Sequence, residues 1–232
     1  METIVLILLI AAILAALCFV IFSKGQQGLL SLSLKSISSF LFTFLGVAIC
    51  YTQGLTLPAL FMLMGLVASC FGDVILGLPD MPEMREKSTS ITLIGGLCFA
   101  AAHICYLAGM IILFGFEWWI VLIAVALGLI FFFGNKYICK LDYGKLTYGM
   151  PFYAIFVSLV VAQSIMSFVS GADIWGSLML LFGFIFFWIS DIILMVIYFG
   201  KNKERNTFYY YFNLGFYYAG QILIASSLMF LL

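Results

Sequence analysis

The chain consists of long apolar runs separated by short polar breaks. A helix rises about 1.5 Å per residue, so about 20 apolar residues are needed to cross the hydrocarbon core of a bilayer, which is about 30 Å thick. On this criterion the runs predict eight membrane-spanning helices, at residues 3–22, 30–51, 56–78, 91–114, 117–134, 148–169, 174–199 and 207–231. The second run contains the polar stretch SLSLKSISS, and the fifth run is the shortest.

The breaks between these runs are too short to hold a soluble domain. They fall at residues 24–28, 53–54, 78–88, 115–117, 134–147, 170–173 and 200–206. Exposed backbone polar groups are not tolerated in hydrocarbon, so helices must carry every crossing. The first run has Glu2 where a signal peptide carries basic residues, which favours a retained helix. The sequence therefore predicts an all-α integral membrane protein, a bundle of eight transmembrane helices that forms one domain over residues 1–232.

Composition supports this fold class and narrows the function. The chain is 66% apolar and 9% charged, whereas soluble domains average about 45–50% and about 25%. Its net charge is zero, so charge does not indicate a nucleic-acid partner. Six scattered cysteines, without a C-x-x-C pair, and the single histidine His103 do not suggest a metal site. No Gly-rich phosphate loop is present, and we expect no cofactor.

The basic residues predict the orientation of the bundle. When the loops are assigned alternately to two faces, one face takes all ten lysines and arginines: Lys24, Lys35, Arg85, Lys87, Lys136, Lys140, Lys145, Lys201, Lys203 and Arg205. The opposite face carries only Glu2, Glu117 and Asp173. By the positive-inside rule we expect the basic loops to be cytoplasmic and both termini to be non-cytoplasmic. In a bacterial host the expected location is the cell membrane.

Two pairs of helices carry similar segments. FGDVIL in the third helix corresponds to ISDIIL in the seventh, and AAHICY in the fourth corresponds to AGQILI in the eighth. His103 follows Asp73 by 30 residues, and Gln221 follows Asp191 by 30 residues. We hypothesise two four-helix halves, residues 1–114 and 117–232, related as parallel repeats, as in some transporter folds.

A few polar residues lie inside the predicted helices, where a charge costs about 2.5–3.5 kcal/mol on insertion scales. The strongest are Lys35, Asp73, His103, Asp191 and Gln221, with Tyr106, Tyr153, Tyr217 and Tyr218 as weaker members. The helical rise places Asp73 roughly 9 Å, Lys35 roughly 12 Å and Asp191 roughly 14 Å from the cytoplasmic ends of their helices. His103, Tyr217 and Gln221 lie roughly 15–20 Å from that end. We therefore expect one polar cavity that opens toward the cytoplasm.

Structural roles compete with functional ones for most of these residues. Lys35 is long enough to reach the membrane surface, or it pairs with Asp73. His103 suits an interior hydrogen bond, and Gln221 suits a contact between helices. Ser69 lies on the same helix face as Asp73 and either orients that carboxylate or bonds to its own backbone. A short Asp cannot reach the surface, so function is favoured for Asp73 and Asp191.

Two carboxyl groups in a low-dielectric pocket are suited to acid–base chemistry. Burial and a second nearby carboxylate both favour the protonated form of one of them. One group then donates a proton, and the other stays ionised and activates water, as in glycoside hydrolysis. A Cys–His–Asp arrangement of Cys70, His103 and Asp191 is the alternative, but the spacing does not favour it.

Five motifs in order along the chain resemble the YhhN family, whose animal members include lysoplasmalogenases. They are S-x-x-G-D at Ser69–Asp73, F-x-x-x-H-x-x-Y at Phe99–Tyr106, P-F-Y at Pro151–Tyr153, GFIFFWISDIILMVIYF at Gly183–Phe199 and YYAGQILIA at Tyr217–Ala225. The resemblance covers nearly the whole chain. Two positions depart from the family pattern: Ser36 follows Lys35 where the family usually has proline, and Gly220 precedes Gln221 where it usually has alanine.

The resemblance implies an enzyme, a hydrolase acting on ether bonds. Its substrate would be lysoplasmalogen, drawn from the bilayer, and its products a fatty aldehyde and glycerophosphoethanolamine or glycerophosphocholine. It assigns the catalytic aspartates to Asp73 and Asp191. The supporting residues are then predicted to be Lys35, Ser69, His103, Tyr106, Tyr153, Ser190, Tyr217, Tyr218 and Gln221. Among these we assign Lys35 and His103 to the headgroup or to polar positioning.

Other functions suit the same pattern. Intramembrane Asp and His residues are also common in proton relays, so a proton-coupled transporter of lipids or small molecules is the main alternative. A hydrolase of another lysolipid and a non-catalytic lipid-binding protein are further alternatives.

Overall fold

Eight helices in the described part of the chain are long and apolar enough to cross a membrane, as the apolar runs predict. The structure, a computed structural model, describes residues 2–23, 28–80, 84, 88–144, 147–200 and 207–232. Its helices are α1 Glu2–Ser23, α2 Leu29–Gln53, α3 Leu57–Gly77, α4 Ser88–Phe114, α5 Trp119–Phe133, α6 Met150–Ser164, α7 Met166–Val169, α8 Ile174–Phe199 and α9 Thr207–Leu231. The short α7 continues α6, and the two together form one span.

Two helix starts have clear local causes. Thr56 precedes α3, and its hydroxyl accepts a hydrogen bond from the backbone N–H of Ala59 at 3.3 Å. Pro58 lies in the first turn of α3, where its missing N–H is not needed. Asp173 precedes α8 and accepts from the backbone N–H groups of Trp175 at 2.9 Å and Gly176 at 3.0 Å. Such caps satisfy backbone donors that no helix can satisfy internally.

The polar second run forms a full helix. The hydroxyl of Ser36 donates to the carbonyl of Leu32 at 2.8 Å, and the hydroxyl of Ser38 donates to the carbonyl of Leu34 at 2.9 Å. These bonds to the preceding turn satisfy the hydroxyl donors within the helix itself. A polar composition is therefore compatible with a membrane span here.

Two predicted spans are less regular than expected. The fifth was predicted at residues 117–134, but α5 begins at Trp119 and is followed by a π-helical turn, Gly134–Ile138. The sixth was predicted as one helix at residues 148–169, but it is interrupted at Ile165. Apolar periodicity does not reveal such local changes in hydrogen bonding.

The core consists of two closely packed hairpins, α3–α4 and α8–α9, with α2 against α3 and α9, and α6 against α4 and α8. Glycines allow the close approach within the second hairpin: a Cβ on Gly220 would lie 2.8 Å from the carbonyl oxygen of Gly183. Gly72 makes room for Phe99 within the first hairpin. The space between the two hairpins is called the seam below, and the ring of Phe99 meets that of Phe187 across it at 6.0 Å.

The structure describes only part of the basic residues on which the predicted sidedness rests. Lys35, Lys136 and Lys140 are described, and they lie on one side if each span crosses the bilayer in turn. The other seven basic residues lie outside the described residues: Lys24, Arg85, Lys87, Lys145, Lys201, Lys203 and Arg205. The cytoplasmic location of the basic loops, the position of the termini and the two-repeat hypothesis stay predictions.

Candidate active site

Asp73 and Asp191 line one cavity in the seam. The volume of this cavity is about 40 Å³. Its polar lining consists of Lys35, Asp73, Ser190, Asp191, Asn213 and Tyr217. Its apolar lining consists of Leu76, Phe99, Phe187, Leu194 and Leu214. The fold therefore brings two carboxyl groups from different hairpins into one cavity whose lining is both polar and apolar.

The carboxyl group of Asp73 is surrounded by donors. It is 2% exposed. Its Oδ2 accepts a hydrogen bond from the Tyr217 hydroxyl at 2.6 Å and one from the Ser39 hydroxyl at 2.7 Å. Its Oδ1 lies 3.6 Å from the Nζ of Lys35. Two short hydrogen bonds and a nearby ammonium group stabilise the ionised form of a buried carboxyl group.

Asp191 has a much poorer set of donors. It is 5% exposed, and its Oδ2 makes no hydrogen bond to any residue that the structure describes. The nearest basic group is the Nε2 of His103, 3.9 Å from that oxygen. The hydroxyl of Tyr153 on α6 also interacts with the Asp191 carboxyl group. The two aspartates of the cavity are therefore chemically unequal.

The imidazole of His103 has a defined tautomer in its neutral form. Its Nδ1 lies 2.7 Å from the backbone carbonyl oxygen of Phe99, and a carbonyl can only accept, so Nδ1 carries the hydrogen. The Nε2 that faces Asp191 is then a lone-pair acceptor. The rings of Phe187 and Phe156, at 4.8 and 6.0 Å, hold the imidazole in place. His103 thus makes the interior hydrogen bond expected of it and also adjoins Asp191.

Lys35 pairs with Asp73 and does not extend to the surface. Its side chain is only 14% exposed, and its Nζ lies in the cavity wall near the Asp73 carboxyl group. Of the two placements that the sequence left open, the structure therefore shows the ion pair.

Ser69, Tyr106 and Gln221 form a second buried group outside the cavity lining. The Tyr106 hydroxyl donates to the Oε1 of Gln221 at 2.8 Å, and the Ser69 hydroxyl lies 3.5 Å from the Tyr106 hydroxyl. The expectation that Ser69 orients Asp73 is therefore wrong, since Asp73 takes its hydrogen bonds from Ser39 and Tyr217. Ser69 shares a helix face with Asp73 but lies one turn away, where Tyr106 fills the space that Gly65 leaves open.

The sequence analysis missed Ser39. Its hydroxyl joins Asp73 to Tyr218, whose hydroxyl lies 3.2 Å from it and donates to the carbonyl of Lys35. The signal was present in the polar stretch of the second run, because Ser39 lies four residues after Lys35 and on the same helix face. From the sequence, the serines of that stretch only made the second run less typical of a membrane span. In the structure, one of them, Ser39, is part of the site.

Asn213 was also missed. It is 7% exposed and lines the cavity. Its Nδ2 donates to the carbonyl oxygen of Ser190 at 2.8 Å and to the Ser190 hydroxyl at 2.9 Å. An amide inside a transmembrane run is uncommon and was a usable signal. Asn213 ties α9 to the residue that precedes Asp191.

Metal ligands do not cluster in the described residues, where no group of three or more His, Cys, Asp or Glu side chains is placed to hold an ion. Cys70 lies near Asp73 and Thr43, whereas His103 faces Asp191. The available groups are suited to moving protons.

These features define a class: a polytopic helical membrane protein with two unequal carboxyl groups in one intramembrane cavity. The sequence model of the YhhN family matches residues 3–228, essentially the whole chain. The chain therefore belongs to the YhhN family, as its five motifs predict. Comparisons with curated proteins and with solved structures gave no match.

Proposed function

We propose that the protein is a membrane hydrolase that cleaves the vinyl ether bond of lysoplasmalogen, with Asp73 and Asp191 as its acid–base pair. The products are a fatty aldehyde and glycerophosphoethanolamine or glycerophosphocholine. Membership of the YhhN family, which is linked to hydrolase function in general, supports an enzyme. The observation that carries the proposal is the shared cavity of the two carboxyl groups.

The chemistry of a vinyl ether matches two carboxyl groups. Protonation of the β-carbon of the vinyl ether uses its π electrons and leaves an oxocarbenium cation at the α-carbon. A carboxylic acid supplies the proton, and a carboxylate stabilises the cation and takes a proton from the attacking water, as in glycosidases. The resulting hemiacetal then breaks into an aldehyde and an alcohol. Water is the only co-reactant.

The other cavity residues supply binding and orientation. Among the described residues of the lining, Lys35 carries the one ammonium group, which suits binding of a headgroup phosphate as well as of Asp73. The apolar lining, including Phe99 and Phe187, suits the hydrocarbon side of the vinyl ether. The substrate is itself a membrane lipid, which suits a site built among transmembrane spans.

The test is release of aldehyde by purified protein in lipid nanodiscs supplied with lysoplasmalogen. We expect Asp73→Asn and Asp191→Asn each to lower the rate at least a hundredfold, a change of about 2.7 kcal/mol in the barrier. In heavy water, with the aldehyde reduced at once to the alcohol, the product should carry one deuterium on the carbon next to the former carbonyl. Deuterium at that position reports protonation of the vinyl carbon.

Asp173→Asn is the matched control. It makes the same carboxyl-to-amide change at the N-terminus of α8, away from the cavity, and asparagine caps a helix about as well as aspartate. Its rate should equal that of the wild type. Folded wild-type protein that releases no aldehyde would overturn the proposal, and so would aldehyde release that survives both cavity substitutions. Proton flux into liposomes without hydrolysis would favour the transporter alternative.

A further inference from the structure

The structure assigns different roles to the two aspartates: Asp191 is the proton donor, and Asp73 is the carboxylate that is ionised before the reaction begins. The catalytic roles of the two residues rest on the proposed function. Their protonation states are inferred from the geometry of the seam. The sequence alone left the two residues equivalent, since each lies in a similar segment of a similarly directed helix.

The donors around Asp73 satisfy a negative charge. Tyr217 and Ser39 place hydroxyl groups at 2.6 and 2.7 Å from Oδ2, and the ammonium of Lys35 lies 3.6 Å from Oδ1. The hydroxyl groups can donate to the carboxylate, and the ammonium balances its charge. A proton on Asp73 would leave the buried lysine without a counter-charge, which is costly in a low-dielectric interior.

The surroundings of Asp191 favour the neutral acid. Its buried Oδ2 receives no hydrogen bond within the described part of the chain, and a bare carboxylate oxygen in such a place is costly. The closest basic atom is the Nε2 of His103, which in the neutral imidazole is a lone-pair acceptor because Nδ1 donates to the carbonyl oxygen of Phe99. A carboxylic O–H can donate a hydrogen bond to that acceptor, whereas a carboxylate has no hydrogen to donate. At 3.9 Å the pair is about 1 Å longer than a hydrogen bond and can close when substrate binds.

The titratable groups that face Asp191 from the described elements include one donor that stabilises its ionised form, the Tyr153 hydroxyl, but no free positive charge. His103 approaches from α4 and Tyr153 from α6. Lys35, Asp73 and Tyr217 share the cavity with it from α2, α3 and α9, and the lysine is already paired with Asp73. Within the described residues, no unpaired positive charge is placed to hold Asp191 ionised.

The assigned roles give a closed proton cycle. Asp191 gives its proton to the β-carbon of the vinyl ether and becomes a carboxylate, while the cation forms at the α-carbon. Water bonds to the α-carbon and loses a proton to Asp73, which gives the neutral hemiacetal. Asp73 then gives that proton to the departing glycerol oxygen as the carbon–oxygen bond breaks. Asp191 takes the hemiacetal hydroxyl proton as the aldehyde forms, so both groups return to their starting states.

The test is infrared spectroscopy of the full chain in nanodiscs, without substrate. A protonated carboxyl group has a C=O stretching band well separated from that of a carboxylate. Labelling aspartate with carbon-13 at the side-chain carboxyl shifts only the bands of the five aspartates of the chain. At neutral pH we expect a labelled protonated band in the wild type that Asp191→Asn removes and Asp73→Asn retains.

Asp191→Glu serves if the amide variant fails to fold. Its carboxyl group carries no label, so the protonated band should lose its isotope shift while remaining present. A labelled band that disappears with Asp73→Asn and survives Asp191→Asn would overturn the assignment, as would the absence of a protonated aspartate band from the wild type. Because this measurement needs no turnover, protein with a protonated Asp191 that releases no aldehyde contradicts only the proposed function. Aldehyde release with the proton on Asp73 contradicts only the assignment.

Discussion

Tyr217, on the last helix, donates a 2.6 Å hydrogen bond to Asp73, on α3, across 144 residues of sequence. This bond spans the seam and fixes one carboxyl group of the cavity relative to the hairpin that carries the other. The ring of Tyr217 also packs edge-on against Phe99 at 5.8 Å and Phe187 at 5.4 Å, one from each hairpin. The hydroxyl of Tyr217 therefore stabilises the Asp73 carboxylate, and its ring packs the two hairpins together at the site.

Replacing Tyr217 by phenylalanine should lower kcat tenfold to a hundredfold. The change keeps the ring contacts and removes one donor to a charged group, which contributes about 1.5–3 kcal/mol. Aldehyde release measured against substrate concentration separates kcat from KM, and KM should change little. The exposed Tyr148 supplies the control, since Tyr148→Phe removes a hydroxyl that is not part of the cavity lining. A kcat equal to that of the wild type would show that this hydrogen bond does not support catalysis.

Replacing Lys35 by methionine should destabilise the protein by about 3–5 kcal/mol, because it leaves the Asp73 carboxylate buried without its partner. Thermal unfolding in detergent measures the effect. Adding Asp73→Asn to this variant removes the unpaired charge and should restore most of the lost stability. Strictly additive effects of the two substitutions would mean that the ion pair is not formed.

Replacing Gly220 by alanine should destabilise the α8–α9 hairpin by about 1–3 kcal/mol. The new Cβ would lie 2.8 Å from the Gly183 carbonyl oxygen and 3.0 Å from the backbone nitrogen of Phe187, and neither atom can move without moving α8. Gly215→Ala in the same helix meets nothing within 4 Å and should stabilise it slightly, since alanine favours helix over glycine by about 1 kcal/mol. Equal melting temperatures for the two variants would contradict the close approach.

Replacing Asn213 by leucine should reduce kcat about tenfold. The substitution removes two hydrogen bonds to Ser190, each of which contributes about 0.5–1.5 kcal/mol, and so loosens the turn that carries Asp191. The aldehyde assay measures the loss, and the melting temperature shows how much of it is structural. Gln53→Leu is the comparison, an exposed amide that bonds to Met229 at the far end of the bundle. A kcat of Asn213→Leu equal to that of the wild type would show that Asn213 does not support catalysis.

Hydrophobic patterning by itself determined the number and position of the spans. The eight apolar runs coincide with the eight spans of the described chain to within a few residues at most ends. This follows because the bilayer requires every crossing segment to be apolar and helical, so each span is defined by its own residues. The same cost of charge in hydrocarbon singled out Asp73 and Asp191 without any knowledge of contacts.

The tertiary structure decided which polar residues meet. Ser39 and Asn213 belong to the site, and Ser69 bonds to Tyr106 and not to Asp73, because helix rotation and the close contacts at glycines set which face points into the seam. It also decided that the two aspartates differ. Asp73 and Asp191 stand in similar segments, but α2 and α9 bring Lys35, Ser39 and Tyr217 to Asp73. In contrast, within the described residues α4 and α6 bring only the Nε2 of His103 and the Tyr153 hydroxyl to Asp191. Those neighbours are distant in sequence, so no local pattern contains them; only the packing of the helices places them together.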